Sequence, residues 1–161
     1  MKNNKTVLIT GATGGLGLSI AEKFYKKNFN MILTGTNESK LELLDSKFTI
    51  NTKIIKCNLA KSGEIIKMFD LIPDEFEGID VLINNAGITK DNLFLRMKEA
   101  DWDDVLNVNL KANFSLCKMV IKSMVKKRWG RIINISSAVA KMGNAGQTNY
   151  AASKAAIEGF T

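Results

Sequence analysis

The chain has 161 residues and contains no histidine, one proline and two cysteines. The absence of histidine excludes a Ser-His-Asp hydrolase, a Cys-His nucleophilic site and every histidine-ligated metal centre. Cys57 and Cys117 are far apart and form no Cys-x-x-Cys pair, so the sequence predicts neither a metal site nor a disulfide framework. Acid-base chemistry must therefore come from tyrosine, lysine or carboxylates, and free thiols are typical of a reducing, cytoplasmic location.

Long hydrophobic runs are missing as well. The polar segment from Met1 to Lys5 leads into an apolar run that is too short for a signal peptide or a membrane span, so no membrane partner is expected. The net charge of +7 would suit an acidic partner, although it is also a common means of staying soluble. The basic residues are not interspersed with aromatic residues, and the sequence shows neither a recognition-helix pattern nor a metal finger. Nucleic-acid binding is therefore not expected.

Short apolar segments alternate with longer amphipathic ones, which is typical of a parallel sheet with helices on both faces. The predicted strands are Thr6–Thr10, Asn30–Gly35, Thr52–Asn58, Ile79–Asn84 and Arg131–Ser136. The predicted helices are one that opens in the turn Gly11–Gly17 and runs to Lys27, then Glu38–Phe48, Lys61–Ile72, Lys98–Arg128 and a last one from Asn149. The sequence therefore predicts a single α/β domain with a doubly wound parallel sheet, or the first part of one.

Two of these helices carry apolar residues that the sequence pattern singles out. Leu16, Ile20 and Phe24 recur at helical spacing and support the first helix. The long helical region is expected to be interrupted near Asn109. Its apolar residues are expected to be mostly core or subunit contacts; they are Trp102, Val105, Leu110, Phe114, Met119 and Met124.

A glycine-rich turn, Thr10–Gly17, follows the first predicted strand. Glycines permit a positive φ and a close approach of the backbone, and the helix that follows presents unpaired N–H groups to an anion. Because ligands of a doubly wound sheet bind beyond the carboxyl ends of its strands, the turn predicts a pyrophosphate site rather than a plain loop. The expected cofactor contacts in the turn are Gly11, Ala12, Thr13, Gly14 and Leu16.

The ends of the next two strands predict the adenosine half of a dinucleotide site. Where dinucleotide folds usually place an acidic residue against the ribose, this chain has Gly35, Thr36 and Asn37. A missing carboxylate removes repulsion against a 2′-phosphate and favours NADP over NAD, with Lys40 as the nearest cation in sequence. Thr36, and Asn58 with Leu59 after the third strand, are expected to contact the cofactor.

Asn84, Asn85, Ala86 and Gly87 end the fourth predicted strand. Buried asparagines need hydrogen-bond partners, so the two asparagines are either structural ties between strands or ligand contacts. We expect one of each, with Asn85, Ala86 and Gly87 contacting the cofactor.

The last predicted helix carries the candidate chemistry. Tyr150 and Lys154 are one turn apart on the same face, so an ammonium can lie near a phenol. A nearby cation favours a phenolate and prepares the phenol for proton transfer. Ser137, just after the last predicted strand, adds a hydroxyl to the same volume. Tyr-x-x-x-Lys also arises by chance on a solvated face of a lysine-rich chain, so its weight comes from the upstream motifs.

Together, these motifs resemble those of the short-chain dehydrogenase/reductase family. The matching features are Thr-Gly-x-x-x-Gly-x-Gly at Thr10–Gly17, Asn-Asn-Ala-Gly at Asn84–Gly87, Asn109, Ser137, and Tyr-x-x-x-Lys at Tyr150–Lys154. The resemblance spans the whole chain and implies a Rossmann-type fold. Three segments are further similar to 3-oxoacyl-[acyl-carrier-protein] reductases of fatty acid synthesis: Ile88–Met97, Lys126–Arg131 and Met142–Gln147.

The resemblance implies a role for each candidate residue. Tyr150 would protonate the carbonyl oxygen of the substrate while NADPH delivers a hydride to its carbon. Lys154 would hold the nicotinamide-ribose hydroxyls, and Ser137 would orient the carbonyl. Asn109 would support a water chain that replenishes the proton. The implied cofactor is NADP(H), contacted by Tyr150 and Lys154 as well as by the loops, and the implied substrate contacts are Ser137 and Tyr150.

The subfamily resemblance also implies partners. The substrate would be a 3-oxoacyl thioester on an acidic acyl carrier protein. The candidate docking cations are Lys126, Lys127 and Arg128. The alternative for these cations is that they stabilise a helix C-terminus. Such enzymes are usually homotetramers joined partly through helices that here carry Phe114, Met119 and Ile157.

Two departures from the family pattern qualify these expectations. Gly14 stands where many NADP-using relatives have an arginine. The sequence ends at Thr161, inside the helix of Tyr150, whereas family members continue through two more strands and a substrate-covering segment. The alternatives to the carrier-protein reductase are a reductase of another small ketone or sugar, and a nucleotide-binding domain that does not catalyse.

Overall fold

The computed structural model describes residues 5–161, which are built around a five-stranded parallel sheet. The strands are β1 (Thr6–Ile9), β2 (Asn30–Gly35), β3 (Thr52–Lys56), β4 (Val81–Asn84) and β5 (Arg131–Asn134). Their order is β3-β2-β1-β4-β5, and every neighbouring pair is parallel. The strand order reverses at β1, which confirms the predicted doubly wound α/β fold and places a crevice between the ends of β1 and β4.

Helices connect the strands, and two more follow β5. They are α1 (Gly15–Tyr25), α2 (Glu38–Lys47), α3 (Ser62–Asp70), α4 (Glu99–Leu106), α5 (Ala112–Lys127), α6 (Val139–Met142) and α7 (Thr148–Phe160). The interruption predicted near Asn109 is confirmed as a π-helical segment, Asn107–Lys111, between α4 and α5. The short α6 and the 3₁₀ turns Asp74–Phe76 and Phe94–Arg96 were not predicted, because such segments are too short to show a helical period.

Four strands are shorter than predicted. β1 ends at Ile9, β3 and β5 end at Lys56 and Asn134, and β4 begins at Val81. Sheet hydrogen bonds nevertheless continue for one residue, from the amide of Cys57 to Gly35 O (3.0 Å) and from that of Ile135 to Asn84 O (2.9 Å). The chain then leaves the sheet, and the residues released in this way border the site described below.

The strands bury alternate side chains against two helical layers. Val7 and Ile9 of β1 belong to a core cluster with Ala21 of α1 and Leu41 of α2. Leu8, between them, faces the other layer, where residues of α3 and α5 pack against the sheet. Because each such side chain contributes about 1.5–3 kcal/mol when buried, the two layers hold the strand ends rigidly in place.

The residues of α1 differ in burial. Gly17 and Ala21 are buried, Ile20 and Phe24 are partly buried and pack against the core cluster, and Leu16 is 55% exposed. A Cβ on Gly17 would lie 2.3 Å from Gly11 O, so the helix approaches the turn too closely for a larger side chain. The apolar spacing therefore predicted the helix correctly, and its closest packing is made by Gly17, a residue without a side chain.

The amino edge of the sheet contains one of the three candidate docking cations. Asp80 Oδ2 accepts a hydrogen bond from the Thr6 amide (2.9 Å), and its Oδ1 pairs with Lys127 Nζ (2.9 Å). Lys126 and Arg128 are exposed beside this pair.

Over residues 5–161, no helix combines the length and apolar composition that a bilayer span requires.

Candidate active site

A cleft of about 420 Å³ opens at the carboxyl edge of the sheet. The predicted cofactor residues that line it are Gly11, Thr13, Gly14, Leu16, Thr36, Asn58, Leu59, Asn85, Ala86 and Gly87. Three predicted cofactor residues are not in its lining. Ala12 is fully buried under the turn, and its amide donates to Thr34 O (3.0 Å). Tyr150 and Lys154 lie on α7. A larger depression, of about 1300 Å³, lies at the amino edge and contains none of the motif residues. The smaller cleft is therefore the candidate site.

The glycine-rich turn forms a close-packed cradle at one end of the cleft. Gly11 has φ +64°, and a Cβ there would lie 2.9 Å from Ala86 Cα. Beyond the turn, the first N–H groups of α1 have no partner within the helix and are available to an anion. The residues present fit the pyrophosphate of a dinucleotide, because the backbone approaches closely and the helix N-terminus is exposed at Gly14 and Gly15.

Asn84 and Asn85 both tie neighbouring segments together. Asn84 Nδ2 donates to Asn134 Oδ1 of β5 (2.8 Å). Asn85 Nδ2 donates to the carbonyls of Thr10 (2.9 Å) and Gly11 (3.1 Å), so it holds the glycine-rich turn while also lining the cleft. The expected division into one tie and one ligand contact is therefore too simple, since Asn85 is placed for both.

Three distant parts of the sequence converge at the Gly87 end of the cleft. A Cβ on Gly87 would lie 3.3 Å from Asn109 Oδ1 and 3.6 Å from Lys154 Nζ. Lys154 Nζ lies 5.8 Å from the centroid of the Tyr150 ring. The ammonium and the phenol are thus neighbours, as their helical spacing predicted. Gly87, in the loop after β4, connects them to the cleft that it lines.

Lys154 is an amine held out of solvent. It is 4% exposed, and its Nζ donates to Ile135 O (2.7 Å) just after β5. Burial lowers the pKa of the Lys154 ammonium, because desolvation disfavours the charged form. An ammonium has three donors, so two remain for hydroxyl groups of a ligand at this end of the cleft.

Asn109 links the loop after β4 to α7. Its Oδ1 accepts from the amide of Ile88 (2.8 Å), and its Nδ2 donates to Ile88 O and to Ser153 Oγ (3.0 Å each). The residue is fully buried within the π-helical segment, a form of helix that is frequent at functional sites. Its side chain is thus engaged by protein groups, and the water chain implied by the resemblance stays a prediction.

Ser137 lies directly after β5, and its Oγ accepts from the amide of Val139 (3.3 Å) at the start of α6. The adjacent Ser136 Oγ donates to Lys154 O (3.2 Å) and also lies 2.9 Å from Glu158 Oε1. Ser136 therefore fastens this loop to the helix that carries Tyr150, and Ser137 follows it in a partly buried position.

Sequence reasoning missed Asn149, the residue before Tyr150. Asn149 is fully buried; its Nδ2 donates to Lys90 O (2.9 Å) and Asp101 O (3.3 Å), and its Oδ1 accepts from the Tyr150 amide (2.8 Å). Lys90 Nζ in turn pairs with Asp101 (3.0 Å) and Asp104 (2.7 Å). Asn149 thus fastens the first turn of α7 to α4. The sequence signal was only an asparagine near a helix start, which usually caps the helix alone.

Replacing Asn149 tests this tie. We expect Asn149→Ala to lower the free energy of unfolding by about 1–3 kcal/mol, because buried carbonyl and amide groups lose their partners. Urea denaturation measures the change. The matched control is Asn144→Ala, which removes an exposed hydrogen bond to Gln147 and should stay within about 0.5 kcal/mol. Equal losses of unfolding free energy in the two variants would show that the buried hydrogen bonds of Asn149 contribute no more than an exposed one.

Comparison with known proteins agrees with this geometry. Residues 5–161 match the family model described as short chain dehydrogenase. The chain belongs to the short-chain dehydrogenase family. The family uses NAD(P), which suits the glycine cradle and the helix N-terminus at the cleft.

The relatives of the chain within this family include several reductases. It is 46% identical to 3-oxoacyl-[acyl-carrier-protein] reductase FabG of Vibrio cholerae over 157 residues, 98% of this chain and 64% of that protein. Its identity to the protein of the same name in Rickettsia typhi is 49%, with the same coverage. Nodulation protein G of a Rhizobium species is 45% identical. The chain thus spans about 64% of the length of the curated relatives it matches.

A solved structure of the family has the same fold. The closed form of serine dehydrogenase complexed with NADP⁺ superimposes with a TM-score of 0.91 at 31% identity. The match covers 96% of this chain and 63% of that one. The five-stranded sheet and its flanking helices are therefore those of a short-chain dehydrogenase, over the part of the family that this chain includes.

Proposed function

We propose that this chain carries the cofactor site and the acid-base residues of a reductase that converts a 3-oxoacyl-[acyl-carrier-protein] into its 3-hydroxyacyl form with NADPH. The observation that carries the proposal is the convergence of Gly87, Asn109, Lys154 and Tyr150 at one end of the cleft. The names of relatives that are 46% and 49% identical support the substrate class.

Each side chain has a chemical task in this reaction. NADPH, when bound, supplies a hydride to the carbonyl carbon. Tyr150 donates its phenolic proton to the carbonyl oxygen as negative charge develops there, and the Lys154 ammonium stabilises the phenolate left behind. Ser137 donates a hydrogen bond to the same oxygen. Two donors aimed at a developing alkoxide stabilise the transition state more than the ground state.

A carrier protein and further copies of the chain are the proposed partners. Lys126 and Arg128 are exposed and suit an acidic carrier, whereas Lys127 is engaged by Asp80. These cations lie at the amino edge of the sheet, opposite the cleft, because α5 ends where β5 begins. We therefore propose that a carrier docked on one chain serves the cleft of a neighbouring copy.

Exposed apolar residues of α5 support a homotetramer as the assembly. Phe114 is 53% exposed, Met119 41% and Val125 70%. Ile157, expected to be a subunit contact, is only 1% exposed and packs within its own chain. The contact proposed between copies therefore rests on α5 rather than on that residue of α7.

A panel of substrates tests the proposed function. We expect the NADPH absorbance to fall fastest with acetoacetyl-[acyl-carrier-protein], more slowly with a short acetoacetyl thioester, and least with simple ketones or sugars. A preference for a ketone or a sugar would point to another carbonyl reductase. Nucleotide binding without turnover of any substrate would point to a non-catalytic domain. Replacing NADPH by NADH measures the cofactor preference in the same assay.

A further inference from the structure

A preference for NADP requires a cation near the 2′-phosphate of the adenosine ribose. Neither the glycine-rich turn nor the end of β2 contains such a residue. Gly14 in the turn after β1 has no side chain, and the end of β2 continues into Thr36 and Asn37. Lys40 is close in sequence, but it lies in α2, where its backbone amide donates to the capping side chain of Asn37 (2.9 Å). The strand pairing brings a different lysine to this edge of the cleft.

Lys56 is the last residue of β3, and its Cα pairs with that of Gly35 at the end of β2. Gly35 and Thr36 line the cleft. The side chain of Lys56 extends toward α2, where its Nζ lies 2.6 Å from Glu38 Oε1 in the first helical turn. The ammonium therefore stands beside the segment that follows β2, although 20 positions separate it from Thr36 in the sequence.

The alternating burial along β3 explains why the side chain of Lys56 is exposed on the α2 side of the sheet. Ile55 and Cys57 are 4% and 2% exposed and face the core layer of α3 and α5. Since successive strand residues point to opposite faces, Lys56 lies on the α2 side, with its side chain 57% exposed. The same register that buries its neighbours thus directs the lysine toward the start of α2, next to the strand end where Gly35 lines the cleft.

The partner of Lys56 is an exposed carboxylate. The hydrogen bond from Lys56 lowers the pKa of Glu38, because it favours the charged carboxylate. An ion pair with side chains 57% and 71% exposed contributes little to stability and rearranges at low cost. A phosphate dianion that approaches the N-terminus of α2 therefore competes effectively with Glu38 for the ammonium.

We propose that Lys56 is the residue that binds the 2′-phosphate of NADP(H) and so sets the cofactor preference of this chain. The inference rests on the nucleotide site of the proposed function and specifies its charge recognition. Glu38 is the anion that holds the ammonium in place while no 2′-phosphate is bound. With NAD, which lacks this phosphate, Lys56 remains paired with Glu38.

The test uses two fragments of the cofactor, 2′,5′-ADP and 5′-ADP, whose dissociation constants are measured by titration calorimetry. These probes contain only the adenosine half, so neither turnover nor the nicotinamide end of the site is needed. We expect the wild-type chain to prefer 2′,5′-ADP. Lys56→Met should reduce that preference about tenfold, equivalent to about 1.4 kcal/mol, and leave the affinity for 5′-ADP unchanged. Glu38→Gln should strengthen the binding of 2′,5′-ADP.

Lys53→Met is the matched control, because Lys53 is an exposed lysine of the same strand that pairs with Ile32, away from the cleft. It should leave the ratio of the two dissociation constants unchanged. Loss of the preference in Lys40→Met but not in Lys56→Met would overturn the assignment. Equal binding of both probes by the wild-type chain would also overturn the assignment of Lys56, although it would still support a nucleotide site. Failure to bind either probe would refute the nucleotide site, and this inference with it.

Discussion

Tyr150→Phe should lower the rate of carbonyl reduction about 10²–10⁴-fold, because it removes the proton donor and keeps the ring. The measurement is the decrease of NADPH absorbance with an acetoacetyl thioester. Tyr25→Phe is the matched control: the chain has two tyrosines, and Tyr25 packs against Phe48 with ring centroids 5.1 Å apart. We expect the control to retain the wild-type rate, since Tyr25 packs against the core cluster of the α1 and α2 layer, whereas Tyr150 lies beside Lys154.

Two further measurements make the Tyr150→Phe result specific. Thermal unfolding should show that the variant is folded, because the phenyl ring occupies the same volume. The affinity for 5′-ADP should also be unchanged, since the adenosine half of the site does not contain Tyr150. Equal rates for Tyr150→Phe and the wild-type chain would reject Tyr150 as the acid and leave the fold and the nucleotide cleft intact.

Gly17→Ala should be the most destabilising of these substitutions. The added Cβ would lie 2.3 Å from Gly11 O and 2.9 Å from Ala12 Cα, and neither backbone atom can move without displacing the turn. Overpacking of this kind typically costs about 1–3 kcal/mol and occasionally more, and the contact with two backbone atoms places Gly17→Ala at the upper end. Urea denaturation measures the loss, and titration with 5′-ADP should show weaker binding because the cradle is displaced.

Gly15→Ala provides a control with identical chemistry two residues away. Apart from its chain neighbours and the backbone of α1, no atom lies within 4 Å of a Cβ built on Gly15, and the residue is the first of α1. Alanine favours the helix over glycine by about 0.8–1.0 kcal/mol in a helix interior, so we expect a neutral or stabilising effect at this helix start. Equal losses of stability in Gly17→Ala and Gly15→Ala would contradict the view that Gly17 is needed for the close approach of α1 to the turn.

The proposed mechanism depends on two lysines in opposite environments. Lys154 is 4% exposed and donates to a backbone carbonyl, so its position is set by the protein before any ligand binds. Lys56 is exposed and pairs with a carboxylate that a phosphate can replace. A buried cation suits a task that requires fixed geometry, such as stabilising a phenolate. An exposed cation suits recognition, because rearranging it costs little.

Much of the fold and the centre of the site could be predicted from the sequence, because those features are local. Five strands were predicted at the right places along the chain, since buried parallel strands are short apolar runs between helical segments. The cradle at Gly11–Gly17 follows from glycine chemistry, and the proximity of Tyr150 and Lys154 follows from their spacing within one helix. None of these inferences needs knowledge of which strands become neighbours.

The sequence alone therefore determined the sheet, the glycine-rich cradle and the pairing of Tyr150 with Lys154. Only the tertiary structure decided the long-range polar contacts: Asn149 with Lys90, Asn109 with Ser153, Lys127 with Asp80, and Lys56 with Glu38. The physical reason is that hydrophobic period and helical spacing act over a few residues. The partner of a long polar side chain is set instead by strand order and register, which arise when the whole sheet is assembled.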